Sequence, residues 1–267
     1  MPPWDAINHG MIGLSTGGFA VTDNSIATYG SRRIQVALLP IYYLLLRGRL
    51  EGFARDRQTQ WLLLVIACGT TLAPLIMFTT DSLRSTAHDA ITVTFQFVSA
   101  ITCTGFSTTN LDSMWSPGTV LLLTVAMIVG GSEGSTVSGV KIVRVVIFEA
   151  GVVERIGEPF PGIDSSRDIE ISGEHVSANF HNASVVLVLW LLFLLGGMVA
   201  LFVLLPPENE SFQHVVFEVA SAQRNVGLSS DLTSPGRSRA VKSVLIGNMW
   251  VGRLTVLPVL VLLRGSV

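Results

Sequence analysis

Three short strings carry the residues of interest in this 267-residue chain. They read Ser15-Thr16-Gly17-Gly18-Phe19, Thr102-Cys103-Thr104-Gly105-Phe106 and Arg224-Asn225-Val226-Gly227-Leu228. In each, a glycine stands directly before a large apolar residue. Ser99-Ala100 and Ser221-Ala222 precede the second and third glycines at the same offset. The groups such strings offer are backbone carbonyls. Glycine reaches positive φ at no steric cost, so successive carbonyls can point at one axis. A ring of them can replace the hydration shell of a potassium ion. That chemistry needs no catalytic side chains, which suits a sequence without an obvious catalytic set.

Two other chemistries are weaker fits. The run Gly130-Gly131-Ser132-Glu133-Gly134-Ser135-Thr136-Val137-Ser138-Gly139 contains a G-x-x-x-x-G frame from Gly134 to Gly139. A phosphate-binding loop needs Lys-Ser/Thr immediately afterwards. Here Val140 intervenes, Ile142 follows Lys141, and no strand precedes. A serine hydrolase would draw on Ser132, Ser135 or Ser138 and on His9, His88, His175, His181 or His214. Gly130 to Gly134 fits the G-x-S-x-G frame, but a nucleophile elbow sits on a strand-to-helix turn, and the run before it reads as helix. Cys68 and Cys103 are too few for a disulfide scaffold or a four-cysteine metal site. They read as free thiols, and the chain reads as no enzyme.

The elements that must position the strings are membrane helices. Hydrophobic residues make up 49% and charged residues 13%, with a mean hydropathy of +0.56. Soluble domains carry about 25% charged residues, so there is too little charge here to cover a water-facing surface. A net charge of -2 argues against a nucleic-acid partner. A bilayer span needs about 20 apolar residues. Runs at 61–80, 183–205 and 243–263 meet that length, the last interrupted by Asn248 and Arg253. Shorter runs lie at 34–46, 118–130 and 140–153, and the last two read as one helix broken at 130–139. No signal peptide is visible at the N-terminus. Basic residues at 47–60 and 141–177 place those segments in the cytoplasm. Arg32, Arg33, Arg237, Arg239 and Lys242 fall on segments assigned outside, so the charge pattern is not clean.

Before each string lies an apolar segment too short to span: 4–14, 88–101 and 212–222. After each comes a polar stretch with an acid, at Asp23, Asp112 and Asp231, and then a span. The physical reading is a re-entrant loop: a short helix dips into the membrane and the chain returns in extended form. Non-helical backbone at that depth is tolerated where it lines a water-filled cavity. The short helices end facing that cavity, and their negative dipole ends favour a cation. Arg253 lies near the centre of its span, where a charge costs at least about 2.5 kcal/mol, so it is expected to face the protein interior or a cavity.

Together these motifs resemble the Trk/Ktr/HKT superfamily of potassium transporters, and specifically a Trk-type pore subunit. The resemblance rests on Ser15 to Phe19 with Asp23-Asn24-Ser25, on Thr104 to Thr108, and on Gly130-Gly131 through Gly134-Ser135-Thr136 to Gly139-Val140-Lys141. Val226-Gly227-Leu228-Ser229 and Gly252-Arg253 complete it. It covers nearly the whole chain. The family builds one pore from four helix–pore-loop–helix units. The resemblance therefore implies an all-α, polytopic membrane protein carrying about two and a half such units. It divides the chain into a partial second unit at 1–50, a third unit at 51–155, a cytoplasmic hairpin at 156–178 and a fourth unit at 179–267. It implies a potassium filter at Thr16, Gly17 and Gly18, at Cys103, Thr104 and Gly105, and at Asn225, Val226 and Gly227. It implies a mobile gate loop at 130–139, including Gly130, Gly131, Glu133, Gly134, Ser135 and Gly139. Arg253 is expected below the filter, held by that loop's carbonyls or by Glu133.

The same resemblance implies a multi-pass protein of the plasma membrane, a homodimer, and a cytoplasmic nucleotide-binding regulatory subunit as partner. Potassium is the transported ion and no cofactor is implied. The family pattern has four filter strings and this chain has three, so an N-terminal unit is expected from a longer reading frame or another chain. A carbonyl ring open on one side predicts that residues 1–267 alone do not conduct selectively. The alternative is a non-conducting remnant or accessory subunit. Arg224 departs from a cation site: either it points away from the axis and backs the filter, or it weakens its own unit.

Overall fold

The computed structural model describes residues 1–45, 57–79, 88–109, 115–131, 140–157, 170–171, 174–205, 211–230, 232–234 and 236–254. Over these residues the chain is helical, apart from a two-residue antiparallel ladder pairing Glu170 with His175 and Ile171 with Glu174. In chain order the helices are α1 (Pro3–Ser15), α2 (Arg32–Leu45), α3 (Arg57–Thr79), α4 (His88–Ile101) and α5 (Pro117–Val129). They continue as α6 (Ile142–Gly157), α7 (Val176–Leu204), α8 (Phe212–Arg224) and α9 (Arg239–Leu254). A 3-10 turn, Ser25–Tyr29, stands between α1 and α2.

The short helices α1, α4 and α8 coincide with the apolar segments that precede the three strings. At the break expected over 130–139, α5 ends at Val129 and α6 begins at Ile142. The α5 helix begins at Ser116, whose hydroxyl accepts from the Thr119 amide at 3.3 Å, with Pro117 at the first helical position. An N-cap hydroxyl and an N1 proline together fix a helix start. The helix stops at Gly130, where the backbone turns extended. At the two ends of the segment 156–178, α6 continues through Gly157 and α7 begins at Val176.

Among the described residues, two helical stretches, Gln60–Thr79 and Phe180–Leu204, are long and apolar enough to cross a membrane. Their outer faces carry large apolar side chains such as Leu64, Phe78, Leu192, Leu195 and Val203, the last 79% exposed. The interior holds His9, Gln96, Glu218, Gln223 and Arg224 in buried positions. An apolar exterior of this extent suits lipid rather than water.

Packing places α8 at the centre of the larger core, against α5, α7 and α9. The α4 helix packs against α2, α3 and α5. A smaller cluster of Ile26, Leu38, Phe95, Val98 and Phe106 ties the N-terminal elements to α4. Close approach of α3 to α4 depends on Gly69: a β-carbon there would lie 1.8 Å from the Phe97 ring, which is itself fully buried.

Candidate functional site

The three short helices end in the same way. The residue two positions before each string glycine is left-handed: Thr16 at φ 46°, Cys103 at φ 53° and Asn225 at φ 54°. The glycines are left-handed as well: Gly18 at φ 72°, Gly105 at φ 73° and Gly227 at φ 87°. At the ends of α4 and α8 the hydrogen bonds match one for one. Cys103 N donates to Ala100 O at 3.2 Å and Thr104 N to Ser99 O at 3.0 Å. Asn225 N donates to Ala222 O at 3.0 Å and Val226 N to Ser221 O at 2.9 Å. This pair of bonds around a left-handed residue is the Schellman helix ending. Asn tolerates the left-handed region, but Thr and Cys do so at a cost of about 1–2 kcal/mol.

The tertiary fold brings the three glycines together. A β-carbon on Gly105 would lie 1.9 Å from Val226 O and 2.8 Å from the Gly18 α-carbon. One on Gly227 would lie 1.9 Å from Gly18 O, and one on Gly18 would lie 2.7 Å from Val226 O. A cavity of about 580 Å³ opens beside them, lined by all three glycines with Asp23, Ser107 and Ser229. A second, of about 270 Å³, reaches from Gly17 and Gly18 to Glu218 and Met249.

Behind each string stands a polar side chain that sequence reasoning missed. Nine residues before each glycine sit His9, Gln96 and Glu218. Glu218 gathers the chain that follows Gly227. It accepts from Ser229 Oγ at 2.9 Å, Ser230 N at 2.9 Å, Ser230 Oγ at 3.1 Å and Thr233 Oγ1 at 2.7 Å. Gln96 Oε1 does the same for the second string, accepting from Thr108 N and Thr108 Oγ1, both at 3.3 Å. His9 is fully buried between the rings of Tyr29 and Phe106, with Nδ1 2.7 Å from Asp5 O. Ser99 and Ser221 add hydroxyl bonds to the carbonyls of Phe106 and Leu228. The common register was the available signal, but an imidazole, an amide and a carboxylate share no type that would draw attention to it.

Glu218→Ala leaves the Ser230 amide and hydroxyl buried without this acceptor. Each such loss costs about 1–3 kcal/mol, so the variant is expected to melt well below wild type in detergent. Glu218→Gln, which keeps one acceptor oxygen, is expected to fall between. Equal melting temperatures for all three would refute this account of Glu218.

At the break after α5, Ile142 N donates to Gly131 O at 2.9 Å and closes the neck. Gly130 lies against the end of α4, since a β-carbon on it would stand 2.3 Å from Ile101 O. Glu133, Gly134, Ser135 and Gly139 lie outside the described residues, as do Ser132 and Ser138. Arg253 is exposed in the last turn of α9. Among the described residues, the guanidinium of Arg224 reaches the break. It bonds the carbonyls of Ile128, Gly130 and Val140 and lies 3.2 Å from Cys103 Sγ. Arg224 is fully buried and turned toward the junction between α5 and α6.

A protein-family model described as a cation transport protein, TrkH, matches residues 51–266. The chain belongs to the TrkH family. An uncharacterized cation transporter of Methanocaldococcus jannaschii is 27% identical over 268 residues, covering 97% of this chain and 53% of its own length. The Trk system potassium uptake protein TrkH of Salmonella typhimurium is 27% identical over 287 residues, covering 98% of this chain and 56% of its own length. The chain thus spans about half the length of these curated relatives, which are named as a transporter and an uptake protein. The crystal structure of the potassium transporter TrkH from Vibrio parahaemolyticus superposes with a TM-score of 0.82. At 23% identity, over 98% of this chain and 58% of that one, it establishes the fold, that of a polytopic helical membrane protein.

Proposed function

We propose that the chain carries a potassium path through the plasma membrane, with Gly18, Gly105 and Gly227 and the two residues before each as the ion-coordinating strings. One observation carries the reading: three glycines far apart in sequence meet at contact distance, each with the same left-handed pair of residues at the end of a short helix. A regular strand points successive carbonyls to opposite sides. Left-handed residues alternating with others turn them toward one side, the geometry a dehydrated cation requires. The units at 1–50, 51–155 and 179–267 each contribute one string on this reading.

The loop at 130–139 serves as the gate and Arg253 as the charge beneath the strings, where it raises the barrier to a cation. Two partners follow by resemblance, a second copy of the chain and a cytoplasmic nucleotide-binding subunit. The test is growth on low potassium of a host lacking its own uptake systems. The chain is expressed alone and in a frame with the part of the Salmonella relative that it does not cover. Growth and rubidium uptake in the combined frame are expected, with higher basal flux for Arg253→Ala. Membrane-inserted protein that supports neither would remove the transport reading and leave the remnant reading.

A further inference from the structure

At the register position three residues before the glycine, one string carries a charge where the other two carry a hydroxyl. Ser15 and Thr102 stand there in the first two strings, and Arg224 stands there in the third. The short side chains satisfy themselves locally: Ser15 Oγ bonds Ile12 O at 3.2 Å and Thr102 Oγ1 bonds Val98 O at 2.7 Å. Arg224 instead reaches across the molecule. Its guanidinium bonds Val140 O at 2.9 Å, Ile128 O at 3.3 Å and Gly130 O, and lies 3.2 Å from Cys103 Sγ. Its exposure is 0%. Ile128 and Gly130 close the last turn of α5, and Val140 leads into α6.

The chemistry fits the acceptors. Carbonyls at a helix C-terminus lack intrahelical donors and carry the negative end of the helix dipole. A guanidinium offers five donors in a rigid fork and accepts dehydration better than an ammonium. One side chain can therefore hold both sides of the break at once, and no short side chain at this position could span the gap. The same guanidinium touches Cys103, the left-handed residue of the second string, while its own backbone precedes the left-handed Asn225 of the third.

We propose that Arg224 is a positioning residue, a buried clasp that fixes the α5–α6 junction against the second and third strings. With its guanidinium taken up by the carbonyls of Ile128, Gly130 and Val140, it does not meet the ion. It acts by holding the geometry of Cys103, Gly130 and Val140. Its effect on transport rests on the potassium-path reading, but the clasp itself is testable without transport.

The experiment is hydrogen exchange on the purified full chain, wild type, Arg224→Met and Arg224→Lys. Loss of the clasp is expected to speed exchange about tenfold or more, ~1.4 kcal/mol of local opening, in peptides covering 125–131 and 140–147. Peptides from α3 should keep the wild-type rate. Arg224→Lys should fall between, because an ammonium cannot fork to both sides of the break. Should Arg224→Met not fold, Arg224→Gln takes its place. Wild-type exchange at both junction peptides in a folded variant overturns the proposal, and so does uniform acceleration that includes α3. In rubidium uptake, Arg224→Met should change the maximal rate while the half-saturating concentration stays within about twofold. A shifted half-saturating concentration with unchanged exchange would make Arg224 part of the ion site and overturn the clasp. Faster junction exchange with no uptake by any variant, wild type included, supports the clasp and counts only against the transport reading.

Discussion

Gly105→Ser in the conducting protein is expected to lower the potassium-over-sodium uptake ratio by about tenfold or more, and Gly227→Ser to do the same. Two costs combine at each position. The left-handed backbone disfavours any β-carbon by about 1–2 kcal/mol. The new atom would also stand 1.9 Å from a backbone oxygen, Val226 O for Gly105 and Gly18 O for Gly227. The neighbour is backbone in both cases, so it cannot rotate away and the string itself must move. A filter selects by the placing of its carbonyls, so a displaced string loses selectivity before it loses flux. Gly18→Ser should be milder, since its β-carbon would stand 2.7 Å from Val226 O. Gly30 separates the two costs. It is also left-handed, at φ 52°, but has no atom within 4 Å of its β-carbon position. Gly30→Ser should therefore leave the ratio unchanged. Wild-type ratios for both Gly105→Ser and Gly227→Ser would end the assignment of these strings as ion-coordinating.

Gly252→Ala is expected to destabilise the fold by about 3 kcal/mol, near the upper end for overpacking. Its β-carbon would lie 1.5 Å from Gln223 O and 2.6 Å from Gln223 C, the last turn of α8. The two helices must separate to admit it. Separation would also break the bond from Asn225 Nδ2 to Met249 O, 3.0 Å long, which ties the third string to α9. Gly247 in the same helix has nothing within 4 Å of its β-carbon position. There alanine removes only the entropic penalty of a helical glycine and should stabilise by about 0.5–1 kcal/mol. Opposite signs for Gly252→Ala and Gly247→Ala in detergent melting are the expected result. A loss at both would mean that helix propensity and local packing are not what distinguishes the two sites.

The sequence alone determined the membrane class, the helix positions and the three strings. Hydropathy and length set the spans, because lipid admits few alternatives to an apolar helix. Gly130, Ser116 and Pro117 punctuate the chain through local backbone chemistry, which needs no tertiary partner. The strings were legible because a glycine before a bulky residue, repeated between helices, is a local pattern.

Only the tertiary structure decided which groups meet. That Gly105 abuts Val226 and Gly18 abuts Gly227 depends on three helices converging, and no local preference encodes that distance. Glu218 was one acid among nineteen carboxylates until Ser229, Ser230 and Thr233 folded back onto it. Arg224 illustrates the point most sharply. In sequence it is a cation misplaced beside the proposed cation site. In the fold it lies buried among carbonyls contributed by residues 84 to 96 positions away, and those partners, not its neighbours in the string, determine what its charge does.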